Sequence, residues 1–266
     1  MPEADLKLLE DAAREAGHIA LRFAAGSNRK WDKPDNMGPV TEADLAVNDM
    51  LGEALRGARP EYGWLSEEST DTAERLERDR VFVIDPIDGT RSFIEGGETW
   101  SHALAVVEKG VVTAAVVYLP VKGKLYSAAR GRGAWLNGRP IRASGRACVD
   151  GATVLAAKPT YDARHWPGGM PDLTRHYRPS LAYRLALVAE GRFDAMLTLR
   201  DSWEWDIAAG ELLLREAGAT VSDREGTALV FNNPHPQVNG VVASGVHLHG
   251  GLISGLTAGP APKRTG

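Results

Sequence analysis

An apolar run that ends abruptly on acidic residues most constrains what this chain can fold into. Residues 81–90 read VFVIDPIDGT, so the run is followed by Asp85 and then Asp88 before Gly89-Thr90. A short continuous apolar run bounded by turn residues is consistent with a buried strand. One Asp-Gly pair would supply the turn that ends such a strand. The other carboxylate, that of Asp85, therefore requires another explanation.

Several other acidic residues also lie where a strand or a helix is expected to begin or end. They are Asp44, Glu67-Glu68 and Asp206. An unpaired charge beside buried apolar surface is costly, and a divalent cation would hold several carboxylates together. Mg²⁺ prefers oxygen ligands and keeps some of its waters, which substrate phosphate can replace. Taken one at a time, each acid is also explained as an N-cap, a turn residue or a surface charge. Asp85 and Asp88 together fit that explanation least.

The spacing of that pair distinguishes between kinds of phosphate chemistry. Phosphatases that use a nucleophilic aspartate carry two aspartates separated by one residue, whereas Pro86-Ile87 separates Asp85 from Asp88. The Gly-rich loop ending in Lys-Ser/Thr that marks P-loop nucleotide hydrolases is absent from the sequence. Metal-assisted attack by water remains. Gly89-Thr90 would then open a helix whose free N–H groups bind phosphate.

Apolar periodicity predicts a mixed α/β chain. Helices are predicted over 4–25, from Thr41 to about Arg56, over 180–190 and over 206–217. Strands dominate from Val81, and after about Ile141 strands alternate with helices, the last strand being 238–243. Segment 70–80 is too charged for a core strand and is predicted to be a solvated helix or loop.

The same rhythm predicts two halves that pack closely, because no Ser/Gly-rich linker separates them. The first, over 1–141, is expected to be an α+β subdomain with a mainly antiparallel sheet, carrying most of the candidate metal ligands. The second, over 142–256, is expected to be an α/β subdomain with a mixed sheet that completes the site. Residues 257–266, TAGPAPKRTG, are predicted to be a flexible tail.

Composition narrows the possible partners and compartment. The net charge of −4 offers no basic surface for nucleic acid or for an anionic membrane. Cys148 is the only cysteine, so an internal disulfide and a Cys-based zinc site are excluded. The sequence opens MPEADLKLLEDAAREAG, which lacks the basic start and apolar core of a signal peptide. We therefore expect a cytoplasmic protein.

Histidine and tryptophan side chains near these motifs are predicted to be structural. His102 is expected to be a hydrogen-bonded core residue, and His247 with His249 a surface pair at the end of a strand. Trp203 and Trp205 are expected to be packing residues.

Two sequence blocks carry a resemblance to a known superfamily. DPIDGT, preceded by SEES, and WDIAAGELLLREAGA over 205–219 resemble the magnesium-dependent, lithium-sensitive phosphatases. This group includes inositol monophosphatases, 3′(2′),5′-bisphosphate nucleotidases, histidinol-phosphatases and fructose-1,6-bisphosphatases. The resemblance extends to VTEAD over 40–44 and to residues 118–141, and so covers nearly the whole chain. It implies a layered α-β-α-β-α phosphatase fold and a homodimer.

The resemblance also implies roles for individual residues, with two to three Mg²⁺ ions at the site. The implied ligands are Glu67, Asp85 and the Ile87 carbonyl for one ion, Asp85, Asp88 and Asp206 for a second, and Glu67 for a third. Thr90 and Asp44 would orient the attacking water and help to deprotonate it, with Glu67 beside them. Phosphate oxygens would bind near Asp88 and the N–H groups of Gly89 and Thr90. Lys33 would lie on a loop that closes over the site.

The substrate is read from residues that differ among these phosphatases. Arg91 follows DGT, as in the nucleotidases and the histidinol-phosphatases, and Glu204 lies two residues before Asp206, as in the nucleotidases. GELLLREAG, in contrast, is equally typical of bacterial inositol phosphatases. Ser180 and Arg184, at the predicted substrate helix, are further candidates for substrate contact. Arg91, Arg178 and Arg184 would pair with a second phosphate, since guanidinium binds phosphate bidentately.

We therefore rank the possible functions. A 3′(2′),5′-bisphosphate nucleotidase-like enzyme, converting adenosine 3′,5′-bisphosphate to AMP and phosphate, comes first. Inositol-1-monophosphatase comes second and histidinol-phosphatase third. A function of another class is a catalytically silent regulatory protein that binds RNA polymerase or ribosomal components. The complete acidic set argues against this last hypothesis.

Overall fold

The computed structural model of the chain describes residues 2–24, 29–33 and 38–257. In these ranges the helices are α1 Pro2–Ala24, α2 Glu42–Ala58, α3 Thr90–Ile94, α4 Leu181–Ala189, α5 Glu204–Glu216 and α6 Val246–Thr257. The strands of the first half are β1 Lys30–Asp32, β2 Pro39–Thr41, β3 Gly63–Ser66, β4 Arg80–Asp88, β5 Ser101–Glu108, β6 Val111–Leu119, β7 Lys124–Ala129, β8 Ala134–Leu136 and β9 Arg139–Ile141. Those of the second half are β10 Ala152–Ala156, β11 Leu173–His176, β12 Ala195–Thr198, β13 Ser202–Trp203, β14 Ala219–Ser222, β15 Gln237–Val238 and β16 Val241–Gly245. The predicted tail lies outside the described residues apart from Thr257.

The larger sheet has seven strands in the order β3-β4-β5-β6-β7-β8-β9. Every neighbouring pair is antiparallel except β3 and β4, which are parallel. Strand β4 is buried almost throughout, which explains why the VFVI run shows no polar alternation. The prediction of a mainly antiparallel sheet in the first half is confirmed.

The second sheet has five strands in the order β11-β10-β12-β16-β14. Strand β10 is parallel to both of its neighbours, and β16 is antiparallel to both of its own, so the sheet is mixed as predicted. The strand predicted over 238–243 is divided into β15 and β16. Gly240, at a φ of 71°, makes the turn between them.

Helices and sheets alternate in five layers. Helices α1 and α2 cover one face of the larger sheet, and α4 and α5 fill the space between its other face and the second sheet. Helix α6 packs on the outer face of the second sheet with Trp166. The layered α-β-α-β-α fold is therefore confirmed.

Helix α6 is a feature that the sequence pattern did not predict. Its sequence, VHLHGGLISGLT, contains three glycines, which lower intrinsic helix propensity, and packing of Leu248 and Leu252 overrides that preference. The prediction of a surface histidine pair is wrong for His249, which is buried with its Nε2 3.0 Å from the Ser222 hydroxyl.

Two other segments show how local sequence sets the boundaries. Thr41 caps α2 as predicted, because its hydroxyl accepts the N–H groups of Ala43 and Asp44. Segment 70–80 contains a short 3₁₀ turn and is exposed at most positions, as predicted, but Arg75 within it is buried. Its guanidinium binds Asp71 and the loop at 232–233.

Helix α5 packs against strands of both sheets, so the two halves share one core. The subdomain boundary at 141/142 stays a prediction. Among the described residues, none of the helices has the length and apolar character needed to cross a membrane.

Candidate active site

A β-bulge shapes the acidic end of β4. Asp85 pairs with Ala103 of β5 and Asp88 pairs with Ser101, so β4 uses three residues where β5 uses two. Such an extra residue bends a strand and re-aims its side chains. Pro86 suits this position because it has no N–H to donate to a ladder. The strand therefore continues through Asp88, whereas the sequence pattern placed its end before Asp85.

Glu67 lies beside the start of that bulge. Strands β3 and β4 are parallel, with Ser66 paired to Ile84, and the N–H of Glu67 donates to the Ile84 carbonyl at 3.2 Å. Glu67 therefore follows the end of β3 just as Asp85 follows Ile84 in β4. The carboxyl ends of parallel strands are a common place for ligand sites.

Asp206, in the first turn of α5, completes a tight acidic cluster with Asp85 and Asp88. One carboxylate oxygen of each residue lies within 4.8 Å of those of the other two. Burial raises the pKa of Asp85 well above its usual range, and the charges of Glu67, Asp88 and Asp206 raise it further. Burial and the charge of Asp88 likewise raise the pKa of Asp206.

One atom of this cluster is left without a partner. Oδ1 of Asp85 is buried and makes no hydrogen bond to any described residue. Unpaired buried oxygens are rare, and each calls for an explanation such as an ion. The carboxylates of Asp85, Asp88 and Asp206 repel one another and include a free buried oxygen. Together they form an all-oxygen donor set, which is the set that Mg²⁺ prefers. The residues present therefore fit Mg²⁺.

Asp88 is held against the start of α4. Its Oδ2 accepts the Ser180 hydroxyl and the Ala182 N–H, each at 2.6 Å. Burial raises the pKa of Asp88, and these two hydrogen bonds oppose that rise. The Ser180 hydroxyl also caps α4 by accepting the Tyr183 N–H. Ser180 is thus occupied in positioning Asp88, and its predicted contact with substrate is not supported.

Thr90 and Asp44 are brought together as expected. The Thr90 hydroxyl lies 3.3 Å from Oδ1 of Asp44 and 3.0 Å from the Ile87 carbonyl. The other oxygen of Asp44 accepts the N–H and the hydroxyl of Thr41, at 2.9 and 2.5 Å. Burial raises the pKa of Asp44 to about 6 despite these bonds. The pair thus sets a buried carboxylate against a hydroxyl, a suitable arrangement for accepting a proton.

Gly89 makes the turn from the bulge into α3. Its φ of 93° is in the left-handed region, and a Cβ there would lie 3.3 Å from the Thr99 carbonyl oxygen. Glycine is therefore required on both conformational and steric grounds. The predicted helix start at Gly89-Thr90 is confirmed.

Lys33 contacts acidic groups at the edge of the cluster. Its ammonium lies 2.8 Å from a Glu67 oxygen and 2.5 Å from a Glu68 oxygen. Burial and the charge of Glu67 raise the pKa of Glu68 to about 7, and Lys33 opposes that rise. Lys33 thus occupies the Glu67 carboxylate that the resemblance assigns to metal.

Glu204, a predicted substrate contact, is held by a loop of the chain itself. It is fully buried, and its carboxylate accepts the N–H groups of Asn232 and Asn233 at 2.6 and 2.9 Å. Both of its oxygens are therefore taken by a loop, and contact with substrate is not supported. Trp203 and Trp205 stack on each other at a centroid distance of 4.7 Å, which confirms their packing role.

His102 was predicted from the sequence only as a core residue. In the structure it also positions the bulge of β4. Its Nδ1 lies 2.5 Å from the Pro86 carbonyl in the bulge, and burial lowers its pKa to about 4. The ring is therefore neutral near pH 7, and Nδ1–H donates to Pro86. The expectation of a hydrogen-bonded core histidine holds for Nδ1, whereas the buried Nε2 has no partner among the described residues.

The structure separates the three arginines proposed for a second phosphate. Arg91 and Arg184 line one cavity. Arg178 is directed elsewhere, with its guanidinium 5.7 Å from the centre of the Phe193 ring. Arg200, which lines the cavity with Arg91 and Arg184, was missed. Its position just after the apolar run FDAMLTL over 193–199 and six residues before Asp206 is the signal that could have found it.

Fold and site together define a class of protein, the phosphoric monoester hydrolases that depend on metal. The chain belongs to the inositol monophosphatase family, whose sequence model matches residues 1–258. The resemblance noted from the sequence blocks is thus confirmed.

The similar proteins include inositol monophosphatases and proteins named as Nus factors. An inositol-1-monophosphatase of Rhizobium meliloti is 37% identical over 237 aligned residues, and the alignment covers 83% of this chain and 86% of that protein. The Nus factor SuhB of Pseudomonas aeruginosa is 38% identical over 238 residues, covering 84% of this chain and 87% of that one. An IMPase structure from Thermotoga maritima superposes with a TM-score of 0.81 at 28% identity, covering 96% of this chain and 97% of that one.

Proposed function

We propose that the chain is a Mg²⁺-dependent phosphomonoesterase that hydrolyses a small phosphorylated metabolite by attack of an activated water. The observation that carries this proposal is the cluster of Asp85, Asp88 and Asp206, with its buried unpaired oxygen. Those three residues, with Glu67 and the Ile87 carbonyl, would hold two to three ions. Bound Mg²⁺ would lower the pKa of water, screen the phosphate charge and stabilise the leaving alkoxide.

The remaining chemistry falls to groups of the chain itself. The Thr90 hydroxyl would accept a hydrogen bond from the attacking water while donating to Asp44. Asp44, with a pKa of about 6, is ionised at neutral pH and can receive the proton. The N–H groups of Gly89 and Thr90 would bind phosphate oxygens at the turn into α3. Capping of Asp88 by α4 keeps one of its oxygens fixed while the other stays available to metal.

Different observations support two candidate substrates. Inositol 1-phosphate is supported by the name of the Rhizobium meliloti relative. Adenosine 3′,5′-bisphosphate, ranked first on sequence, is supported by the arginine-lined cavity that includes Arg91 and Arg184. Histidinol phosphate is a third candidate. A panel of these three esters, compared by kcat/KM with Mg²⁺ and with a lithium control, ranks them directly.

A regulatory role is the alternative of another class. It is supported by the name of the Pseudomonas aeruginosa relative, a Nus factor. The assembled acidic cluster favours catalysis, since a purely binding role gives no reason to collect buried carboxylates. A cytoplasmic location and a homodimer stay predictions. Absence of turnover on a broad panel of phosphate esters with Mg²⁺ would favour the regulatory role.

The variant Asp88→Asn tests the proposal. The asparagine oxygen can still accept the Ser180 and Ala182 donors, so the fold is kept, while the charge that faces metal is lost. We expect kcat/KM to fall by about a hundredfold or more, given the size of single catalytic contributions. Asp194→Asn is the matched control, because Asp194 also accepts a serine hydroxyl and a backbone N–H but lies outside the cluster. Wild-type activity in Asp88→Asn would show that the metal assignment is wrong.

A further inference from the structure

The start of α5 carries Asp206 but lacks the side-chain cap that fixes many helix N-termini. Helices α2 and α4 are each capped by a hydroxyl, whereas Trp203, in the capping position of α5, makes no side-chain hydrogen bond of this kind. One oxygen of Asp206 nevertheless lies within 4.8 Å of oxygens of Asp85 and Asp88. Contacts from outside the helix must therefore hold its first turn in place.

Glu204 supplies such contacts. Its N–H donates to the Pro236 carbonyl at 2.9 Å. Its Oε2 accepts the N–H of Asn232 at 2.6 Å, and its Oε1 accepts the N–H and the side-chain amide of Asn233 at 2.9 and 2.7 Å. Residues two apart on an α-helix point about 200° apart, so Glu204 can bind the loop while Asp206 faces the cluster. Because both residues belong to one helical turn, a shift of Glu204 also moves Asp206.

Arg75 binds the same two asparagines from the first half of the chain. Its Nη1 donates to Oδ1 of Asn232 at 2.6 Å, and its Nη2 donates to the carbonyl of Asn233 at 2.9 Å. Its Nε and Nη2 also donate to the two oxygens of Asp71, at 2.6 and 2.8 Å. The guanidinium is buried and its charge is paired in bidentate geometry, which fixes its direction.

The loop between the two charged residues is rigid. Asn232 has a φ of 61°, in the left-handed region that asparagine enters more readily than most residues. Its side-chain nitrogen donates back to the Arg75 carbonyl at 3.3 Å. Both asparagines thus contact Arg75 on one side and Glu204 on the other. Such a conformation persists where the surroundings determine it from several directions.

Arg75 is also packed against the strand that leads to Glu67. Gly63, the first residue of β3, lies so close that a Cβ on it would be 3.1 Å from the Arg75 Cα. Strand β3 ends at Ser66, and Glu67 follows directly. The contacts of Arg75 and Glu204 therefore join a segment that carries one proposed metal ligand to the helix that carries another.

We infer that Arg75 and Glu204, joined through Asn232 and Asn233, form a clamp that positions Asp206 for the metal site. Arg75 and Glu204 are positioning residues, because neither belongs to the acidic cluster itself. The inference rests on the proposed phosphomonoesterase function and names residues outside the cluster on which its Mg²⁺ affinity depends.

Calorimetric Mg²⁺ binding tests the clamp without turnover. Glu204→Gln sets an amide NH₂ against the loop N–H donors, and Arg75→Met removes every guanidinium contact. We expect each variant to weaken Mg²⁺ binding by about tenfold or more, the usual effect of losing groups that orient metal ligands. Because the ligands themselves remain, kcat at saturating Mg²⁺ should return close to the wild-type value. As parts of one clamp, the two substitutions together should weaken binding no further than the stronger single one, and additive losses would contradict the clamp.

A milder variant covers the case in which Arg75→Met does not fold. Asn232→Gly loses the side-chain contacts with Arg75 but keeps the N–H that Glu204 accepts, and glycine suits its positive φ. The Tm of this variant should stay close to that of the wild-type protein, while Mg²⁺ binding weakens in the same direction as in Glu204→Gln.

Glu190→Gln is the matched control. The Glu190 carboxylate also joins the two halves, since it accepts the Tyr126 hydroxyl at 2.6 Å and lies 3.1 Å from the Lys124 ammonium. It lies at the end of α4, whereas Asp88 is held at the start of that helix. Glu190→Gln should lower the Tm of the metal-free protein, as Glu204→Gln does, but keep wild-type Mg²⁺ affinity.

The outcomes separate the clamp from the proposed function. Unchanged Mg²⁺ affinity in Glu204→Gln and Asn232→Gly, or an equal loss in Glu190→Gln, would overturn the clamp and leave the phosphatase in place. If Mg²⁺ affinity shifts as expected but no ester is hydrolysed, the clamp stands and the phosphatase proposal alone fails. A wild-type protein that binds no Mg²⁺ would overturn both.

Discussion

Replacing Thr90 with valine removes one hydroxyl from the proposed water-activating pair and little else. The side chain is almost fully buried, and valine has nearly the same shape. The lost hydroxyl lies 3.3 Å from an Asp44 oxygen and 3.0 Å from the Ile87 carbonyl. It can donate to only one of them at a time, so about one net hydrogen bond is lost, with a destabilisation of about 1–3 kcal/mol.

The effect on catalysis should be much larger than the effect on stability. Without the hydroxyl, the attacking water has no group through which to pass a proton to Asp44. Loss of general base assistance typically costs about 10²–10⁴ in rate. We therefore expect kcat with Mg²⁺ to fall at least about a hundredfold, measured by phosphate release from the best ester of the panel. Thr90→Ser keeps the hydroxyl and should retain most of the activity.

Thr113→Val, in β6 of the larger sheet, is a matched control. Thr113 is buried in β6, and its hydroxyl donates to the Val106 carbonyl at 3.3 Å. The Thr113→Val variant should be destabilised to a similar extent in thermal unfolding but keep wild-type kcat.

Because Thr90 and Asp44 act as one unit, the double variant Thr90→Val with Asp44→Asn should be no slower than either single variant. Activity of Thr90→Val within about threefold of Thr113→Val would refute the proposed role.

Three further predictions follow from the charges and the backbone of the site. Folding raises the pKa of Asp44 to about 6 and that of Glu68 to about 7. Without Mg²⁺, the contribution of these two carboxyls to stability is therefore present below about pH 4 and is lost as the pH rises through 6–7. The Tm of the metal-free protein should therefore fall between pH 5 and 8, and the rise in Tm on adding Mg²⁺ should be larger at pH 8; a flat profile would contradict this. Because the Lys33 ammonium contacts Glu67, Lys33→Met should lower the Tm of the metal-free protein and also lower the Mg²⁺ concentration needed for half-maximal activity. An unchanged metal requirement would count against competition between Lys33 and Mg²⁺ for Glu67. Gly89→Ala should cost about 1–3 kcal/mol in unfolding free energy and more than tenfold in activity, whereas Gly138→Ala, at a similar positive φ in open space, should lose stability only.

The sequence predicted the fold and the grouping of Asp85, Asp88 and Asp206 well because both depend on local patterns, while the role of these residues as metal ligands stays a prediction. A buried strand that ends in carboxylates and the periodicity of α4 and α5 can be read residue by residue. The layer order came from the resemblance, and the structure confirms it. Helix α6 was missed because its glycines mask the helical pattern, and only packing on the second sheet reveals it.

The substrate side of the site was less predictable, because it is assembled from distant segments. Glu204 looked available in the sequence, yet it is taken by the loop at 232–233, nearly thirty residues later. Ser180 caps a helix whose start could not be aligned with Asp88 in advance. Arg164 and Arg200 become neighbours of Arg91 only when α3 and the second sheet come together. Such juxtapositions leave no periodic signal in one sequence.

The bulge in β4 explains why the two aspartates are three residues apart. In a regular strand, residues three apart point to opposite faces of the sheet. Asp85 and Asp88, however, pair with Ala103 and Ser101, two positions that share a face of β5. The core confirms the shift, since Phe82, Ile84 and then Ile87 face α1 and α2, while Val81 and Val83 face α4 and α5. The extra residue thus places both carboxylates on the side of α4 and α5, where Asp206 lies, and leaves the Ile87 carbonyl to accept from Thr90 rather than from β5.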